Sequence, residues 1–223
     1  MTGYYRNRLS ADRLRKCYEI APPRIRRYLE AETSFVSKRI RGSRRVLELG
    51  CGYGRAMKRA VVHVELVVGC DTSMDSLVLA KSHLRTRRSF GLVCADASCL
   101  PFRSGIFDAV ICIQNGISAF GVDRRELVAE AIRVTKDSGQ ILFSSYSKRI
   151  WKERLAWFRA QSKADLVGEI DEAATGDGTI VCKDGFRATT VSGAEFRMLF
   201  SNAGASSLIE EVDGSSVFCI VLK

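Results

Sequence analysis

The residues best suited to chemistry are a cluster of glycines and two isolated carboxylates. A short apolar run, Arg45-Val46-Leu47-Glu48-Leu49, leads into Gly50-Cys51-Gly52-Tyr53-Gly54, and a helix-like stretch from Arg55 to Ala60 follows. Glycine tolerates positive φ and lets a ligand approach the backbone closely. The start of the following helix presents unsatisfied N–H groups to an anion. Dinucleotide-binding proteins use a related turn, G-x-G-x-x-G. Here the third glycine comes one residue earlier, and Arg55 stands where that pattern requires glycine. The spacing therefore argues against a nicotinamide or flavin dinucleotide. Asp71 ends a second apolar run 17 residues beyond Gly54, where a carboxylate can accept hydrogen bonds from both hydroxyls of a ribose. Asp96 ends a third run. Either aspartate alone could be a turn former or a helix cap; the glycine turn and both acids together point to a nucleoside-bearing ligand.

These residues need a scaffold that brings strand ends together. Strands are expected at Arg45–Leu49, Val64–Cys70, Phe90–Ala95, Phe107–Ile113 and Gln140–Ser145, with helices at Ser73–Leu84 and about Arg124–Val134 between them. Continuous apolar strands alternating with helices indicate a parallel sheet covered on both faces, with right-handed crossovers. In such a doubly wound sheet the strand ends meet at one crevice, the topological switch point. Upstream, residues 10–20 and 24–40 read as two helices, with Ser10 as an N-cap and Pro22-Pro23 as the break. Beyond Tyr146 the rhythm changes. A helix over about Ile150–Lys163 carries Trp151, Trp157 and Phe158, and a Gly- and acid-rich stretch, Gly168 to Gly185, holds a small hairpin around Thr179–Lys183. Ser192 caps a helix from Gly193 to Asn202, and strands Ser207–Val212 and Ser216–Leu222 meet at Asp213-Gly214, a hairpin signal. The expected fold is α/β: a doubly wound, seven-stranded, Rossmann-like sheet with an antiparallel C-terminal hairpin and a helical N-terminal extension. Residues 1–44 form the cap, 45–223 the ligand-binding domain, and 147–190 an inserted segment that is either a lid over a substrate or a stabilising flap.

The sequence resembles the class I S-adenosylmethionine-dependent methyltransferases, and within them the small-molecule branch typified by the ubiquinone- and menaquinone-biosynthesis enzymes (methyltransferase type 11). The resemblance is carried by Val46 to Gly54, Gly69-Cys70-Asp71-Thr72-Ser73-Met74, Cys94-Ala95-Asp96-Ala97 with Leu100-Pro101-Phe102, and Phe107-Asp108-Ala109-Val110. Arg133 to Gln140 and the helix ending Asn202-Ala203-Gly204 also fit, so it spans about residues 45–222. It implies S-adenosylmethionine as cofactor and S-adenosylhomocysteine as product. It implies that Gly50, Cys51, Gly52 and Gly54 shape the loop along the methionine part, and that Glu48 fixes the amino group or the loop. By the same resemblance Asp71 holds the ribose, while Thr72, Ser73 and Met74 border ribose and adenine. Asp96 accepts from the adenine amino group, Ala97 donates its backbone N–H, Gln114 faces the methionine portion, and Tyr18 or Tyr28 reaches the carboxylate. The resemblance says least about residues 1–40 and 147–190.

The methyl acceptor is not legible, and no catalytic residue is assigned. The expected acceptor wall is Gln114 to Phe120, with Tyr146 and the aromatics of the insert opposite; these aromatics could equally be core. That loop lacks the Asn/Asp-Pro-Pro-Tyr/Phe signature of enzymes that methylate exocyclic amines of nucleic-acid bases. His63 and His83 both fall away from the strand ends facing the crevice. Residues 1–45 carry thirteen Lys/Arg against four Asp/Glu, nearly all of the formal net charge of +10. Interleaved apolar residues suit amphipathic helices with a solvated face, so the basic block leaves nucleic acid open as a partner without favouring it. The expected function is methyl transfer to a small molecule. The alternatives are a tRNA or rRNA methyltransferase using the basic segment, and an inactive cofactor-binding partner subunit. Of the eight cysteines, Cys51, Cys70, Cys94, Cys112 and Cys219 lie in or beside apolar segments as small hydrophobes. Cys17, Cys99 and Cys182 form no CxxC pair, and no metal site is expected. With no apolar leader or membrane-length run, a reduced cytoplasmic setting is expected, with no membrane partner. The oligomeric state is not encoded in any visible pattern.

Overall fold

The computed structural model describes residues 3–85 and 89–223. The N-terminal segment forms α1 (Tyr4–Asn7), α2 (Ala11–Glu19) and α3 (Pro23–Arg39). The alternating region follows as β1 (Arg45–Leu49), α4 (Met57–Ala60), β2 (Leu66–Asp71), α5 (Met74–Leu84), β3 (Phe90–Cys94), β4 (Phe107–Cys112), α6 (Gly116–Ala119), α7 (Arg124–Val134) and β5 (Thr135–Tyr146). A 3₁₀ turn (Lys148–Ile150) opens α8 (Trp151–Lys163). Then come β6 (Ile180–Val181), β7 (Arg187–Ala188), α9 (Gly193–Asn202), β8 (Leu208–Val212) and β9 (Ser216–Leu222).

The main sheet has seven strands in the order β3-β2-β1-β4-β5-β9-β8. Strand β1 pairs in parallel with both β2 and β4, so the chain reverses its direction of winding there and the crevice opens at the C-terminal end of β1. The expected terminal hairpin forms: β9 lies antiparallel to both β5 and β8. The apolar strands are continuous because both faces are covered. Val46, Leu47 and Leu49 of β1 and Ala109 to Cys112 of β4 are all buried. One face packs on α7 and α9 through Leu127, Val128, Phe196 and Phe200; the other packs on α3, α4 and α5 through Val36, Ile40, Met57 and Leu77.

Several boundaries moved for identifiable reasons. The helix after the glycine loop shrinks to Met57–Ala60, because turns occupy residues 52–56. β5 starts at Thr135 rather than Gln140; Thr135 pairs with Phe107, and the register then shifts so that Gln140 meets Ala109. The small hairpin lies later than expected, with β6 and β7 flanking the turn at residues 182–186. Ser10 occupies the N-cap position of α2 without a side-chain capping bond; the Ala11 N–H instead donates to Ser76 Oγ of α5 at 3.0 Å. Cys94 is exposed rather than a core residue, since β3 is an edge strand. All eight cysteines are free thiols.

A third apolar cluster joins the N-terminal helices to the insert. It packs Leu9, Cys17, Ile25 and Tyr28 against Trp157, Phe158, Ile170 and Phe186. Burying such large side chains stabilises by about 1.5–3 kcal/mol each. Polar clasps add direction. Tyr4 Oη donates to Asp184 at 2.6 Å, and Arg8 pairs with the same carboxylate at 2.9 Å. Arg24 and Arg27 both grip Asp213 in the β8–β9 turn at 2.7 Å, and Arg39 pairs with Glu210 at 2.9 Å. Four of the thirteen basic residues of the block thus help to hold α3 and the end of α1 onto the body. No helix among the described residues is long and apolar enough to cross a membrane.

Candidate functional site

The glycine loop combines backbone hydrogen bonds with a left-handed conformation that favours glycine. Gly50, Gly52 and Gly54 all have positive φ, at 69°, 53° and 80°. The Gly50 and Cys51 N–H groups donate to the Cys70 carbonyl at 2.8 and 3.0 Å, which clamps the loop to the end of β2. Asp71 completes the clamp. Its Oδ2 accepts from the Gly52 N–H and its Oδ1 from the Ser73 N–H, both at 2.8 Å. Burial raises the Asp71 pKa, while the N–H groups of Ser73, Gly52 and Thr72 pull it back. Asp96 stands across the crevice at the end of β3, with Oδ1 accepting from the Ser98 N–H and hydroxyl at 2.8 Å.

A cavity of about 450 Å³ opens beside this loop, a volume typical of small-molecule sites. Of the residues singled out from sequence, Tyr18, Gly50, Gly52 and Asp71 line it, as do Thr72, Asp96, Ala97 and Gln114. The others lie outside the lining. Cys51 is buried behind the loop with its Sγ directed at the Gly52 carbonyl. Gly54 packs against Leu84 and Ala80 of α5, Ser73 caps α5 by accepting from the Ser76 N–H, and Met74 is exposed. Glu48 is buried beneath. Neither His63 nor His83 is among the described residues lining the cavity, and no cluster able to hold a metal occurs among the described residues.

The fourth strand ends in strain. Gln114 and Asn115 both take left-handed φ, at 56° and 62°, a conformation that side chains other than glycine adopt at a cost. Neighbours fix it. The Gln114 N–H donates to Ser144 Oγ at 3.0 Å, Ser144 Oγ donates to Glu32 at 2.7 Å, and Asn115 is bonded to Ser145 and the Thr189 carbonyl at 2.7 Å. Gln114 Oε1 in turn accepts from Tyr18 Oη at 2.8 Å. The other tyrosine considered, Tyr28, is wholly buried with its ring 5.1 Å from that of Tyr146 and does not line the cavity.

Residues 46–139 match the family described as Methyltransferase domain. The malonyl-[acyl-carrier protein] O-methyltransferase of Legionella pneumophila is 34% identical over 139 residues, covering 60% of this chain and 48% of that protein. The demethylmenaquinone methyltransferase of Paenarthrobacter aurescens is 31% identical over 108 residues, covering 48% of this chain and 41% of the relative. The chain thus spans about half the length of these relatives or less. The crystal structure of the PH0226 protein from Pyrococcus horikoshii OT3 superposes with a TM-score of 0.71 at 22% identity, covering 92% of this chain and 93% of the other. Over residues 46–139 this chain thus matches a methyltransferase domain, for which the sequence resemblance implies S-adenosylmethionine as cofactor.

The residues of this methyltransferase domain fit that cofactor. A Cβ on Gly50 would lie 2.4 Å from the Phe120 ring, so the loop is a cradle that only glycine leaves open. Gln114 Nε2, in the lining, is buried with no hydrogen-bond partner among the described residues, leaving a donor for an amino-acid moiety; Glu48 Oε2 and Arg55 Nη2, likewise without partners, lie behind the lining. Burial pushes the Glu48 carboxyl up to about 8, against the pull of Arg55 and with a further push from Asp71. Burial likewise raises Glu32 to about 7, opposed by Ser144 and Arg55.

Both shifts affect stability. A carboxyl whose folded pKa exceeds its unfolded value binds more protons when folded, so its contribution is complete below the unfolded pKa and fades as pH rises. Urea titrations of the cofactor-free protein are expected to show stability falling between about pH 4.5 and 8, by on the order of 3–5 kcal/mol per carboxyl. Glu32→Gln should roughly halve the slope of that decline between about pH 4.5 and 7, where both carboxyls contribute. A slope unchanged in the variant would show that Glu32 does not titrate there.

Sequence reasoning missed part of the cavity. Tyr5, Leu9, Leu14 and Cys17 line it from the N-terminal segment, and Gln161 lines it from α8. Gln161 could have been found, because it lies four residues beyond Trp157, on the same helical face.

Proposed function

We propose that this protein transfers the methyl group of S-adenosylmethionine to a small-molecule acceptor held in the same cavity. The observation that carries the reading is continuity: one cavity runs from Asp71, Asp96 and the glycine loop to an aromatic chamber of Tyr5, Tyr146, Trp157 and Phe158. When bound, the cofactor supplies an electrophilic methyl group on a sulfonium, and the chain's own contribution is position.

Asp71 has lone pairs left for the ribose hydroxyls after accepting two backbone N–H groups. Asp96 would accept from the adenine amino group and the Ala97 N–H would donate to the ring, with Thr72 bordering them and Ser73 and Met74 behind it at the start of α5. Gly50, Cys51 and Gly52 run along the methionine part, with Gly54 closing the turn. Gln114 and Tyr18 face its polar end, with Glu48 buried beneath them. An ammonium beside Glu48 would restore its carboxylate form, since opposite charge favours ionisation. The N-terminal cap and segment 147–190, through lining residues such as Leu9, Leu14, Cys17, Trp157 and Phe158, would shield the site from water and hold the acceptor in line. Such positioning contributes about 7 kcal/mol or more to a bimolecular transfer.

Incubation of the protein with methyl-labelled S-adenosylmethionine and fractionated extracts of its source cell tests the reading. Label is expected in the low-mass fraction, sensitive to Asp71→Ala. Label confined to RNA, or cofactor binding without transfer to any fraction, would overturn it.

A further inference from the structure

The aromatic chamber has a polar signature that the cofactor does not explain. Arg154, Trp157, Phe158 and Gln161 of α8 lie at i, i+3, i+4 and i+7, one face of the helix. Gln161 is 2% exposed and lines the cavity, yet its Nε2 has no hydrogen-bond partner among the described residues. A buried amide donor left unbonded is costly, and an acceptor oxygen on a ligand would satisfy it.

Arg154 lies behind the chamber wall. It is 1% exposed, and its guanidinium sits 4.4 Å from the Tyr146 ring centroid and 5.6 Å from that of Phe158. Its Nη atoms donate to the neutral carbonyls of Gly178 and Ala188, at 2.7 and 3.0 Å, and its Nε has no partner among the described residues. No carboxylate pairs with it among the described residues, so its charge is left to act on the chamber in a low-dielectric setting. Arg6 adds a second positive charge to the lining. The lining carboxylates among the described residues are Asp71 and Asp96, at the cofactor end.

The walls alone would suit an amine, because aromatic boxes attract cations. Here the faces of Tyr146 and Phe158 already attend a guanidinium, and a second cation would meet its repulsion. An anion meets attraction and a free donor. We propose that the chamber of Tyr5, Tyr146, Trp157 and Phe158 is an acceptor subsite for a flat, apolar small molecule bearing an anionic oxygen. The oxygen, carboxylate or phenolate, accepts from Gln161 and lies in the field of Arg154. An oxygen that arrives ionised needs no base to remove a proton, which matches a lining without histidine among the described residues. The inference rests on the methyltransferase reading and gives it a substrate class.

Calorimetric titration of the protein saturated with S-adenosylhomocysteine tests it with two flat bodies in three charge states: benzoate, benzamide and benzylamine, and cinnamate, cinnamamide and cinnamylamine. In at least one series the anion is expected to bind tenfold or more tighter than the amide, with the amine weakest. Gln161→Leu should weaken the anion five- to tenfold and leave S-adenosylhomocysteine affinity within twofold. Arg154→Met should erase the anion preference and Arg154→Lys should keep it. If Arg154→Met fails to fold, the wild-type series and Gln161→Leu still decide. Amine binding equal to or tighter than anion, or no anion binding in either series, would overturn the subsite. Failure to bind S-adenosylhomocysteine at all would instead sink the cofactor reading beneath it.

Discussion

Replacing Asp71 by alanine is expected to weaken S-adenosylmethionine binding by roughly 1.5–3 kcal/mol, about 10- to 150-fold, as befits the loss of charge-assisted hydrogen bonds. Two effects act together. The ribose loses its acceptor, and the N–H groups of Gly52 and Ser73 lose the carboxylate that orders the loop and the start of α5. Asp71→Asn separates them, because an amide retains one acceptor oxygen for the backbone and gives up the charge. It should fall between wild type and alanine. Calorimetry with S-adenosylhomocysteine, run beside thermal denaturation, reads both consequences. Unchanged affinity in Asp71→Ala would reject the assignment.

A larger loss is expected from the first glycine of the loop. At Gly50 a Cβ would sit 2.4 and 2.5 Å from atoms of the Phe120 ring, on backbone at φ 69°. Gly50→Val must therefore displace the ring or the loop, and cofactor affinity should fall more than 100-fold. The strained φ should cost on the order of 1–3 kcal/mol of stability. Gly52 is more forgiving. Its added Cβ would approach Leu14 Cδ2 at 3.0 Å, the end of a flexible side chain, although its φ of 53° still penalises a branched residue. Gly52→Val should weaken binding too, chiefly by filling the cavity it lines, and leave the fold largely intact. If Gly50→Val binds normally, the loop is not the cofactor cradle. If Gly52→Val binds normally, that glycine does not face the ligand.

These two glycines and Asp71 were readable in the sequence because their signals are local. A strand, a turn of bare backbone and an acid at the next strand end follow from spacing, and the seven strands follow from runs such as Leu66–Asp71 and Phe107–Cys112. Residues whose role depends on distant packing were harder to find. Gln161 and Arg154 sit on a helix whose apolar face could have belonged to any core, and only the docking of α2 and α3 turns that face into a chamber wall. Leu14 and Cys17 looked like ordinary amphipathic residues in a basic helix. The strain at Gln114 and Asn115 had no sequence signal, since neither is a glycine; Ser144, Ser145 and Glu32 impose it from other elements.

The position of β9 shapes how the molecule can assemble. This strand is wedged between β5 and β8, seven residues long, and supplies both ladders that join that edge to the rest. Of the seven strands of the sheet it is also the last to leave the ribosome. Until it arrives, β5 presents an open apolar border to the cell, with Phe143 and Leu142 waiting for partners. Vectorial synthesis therefore leaves the five strands β3-β2-β1-β4-β5 to survive alone for the time needed to translate some seventy residues, about 4–14 s at the usual elongation rate. The nascent chain is most exposed to chaperones and to misassociation in that interval.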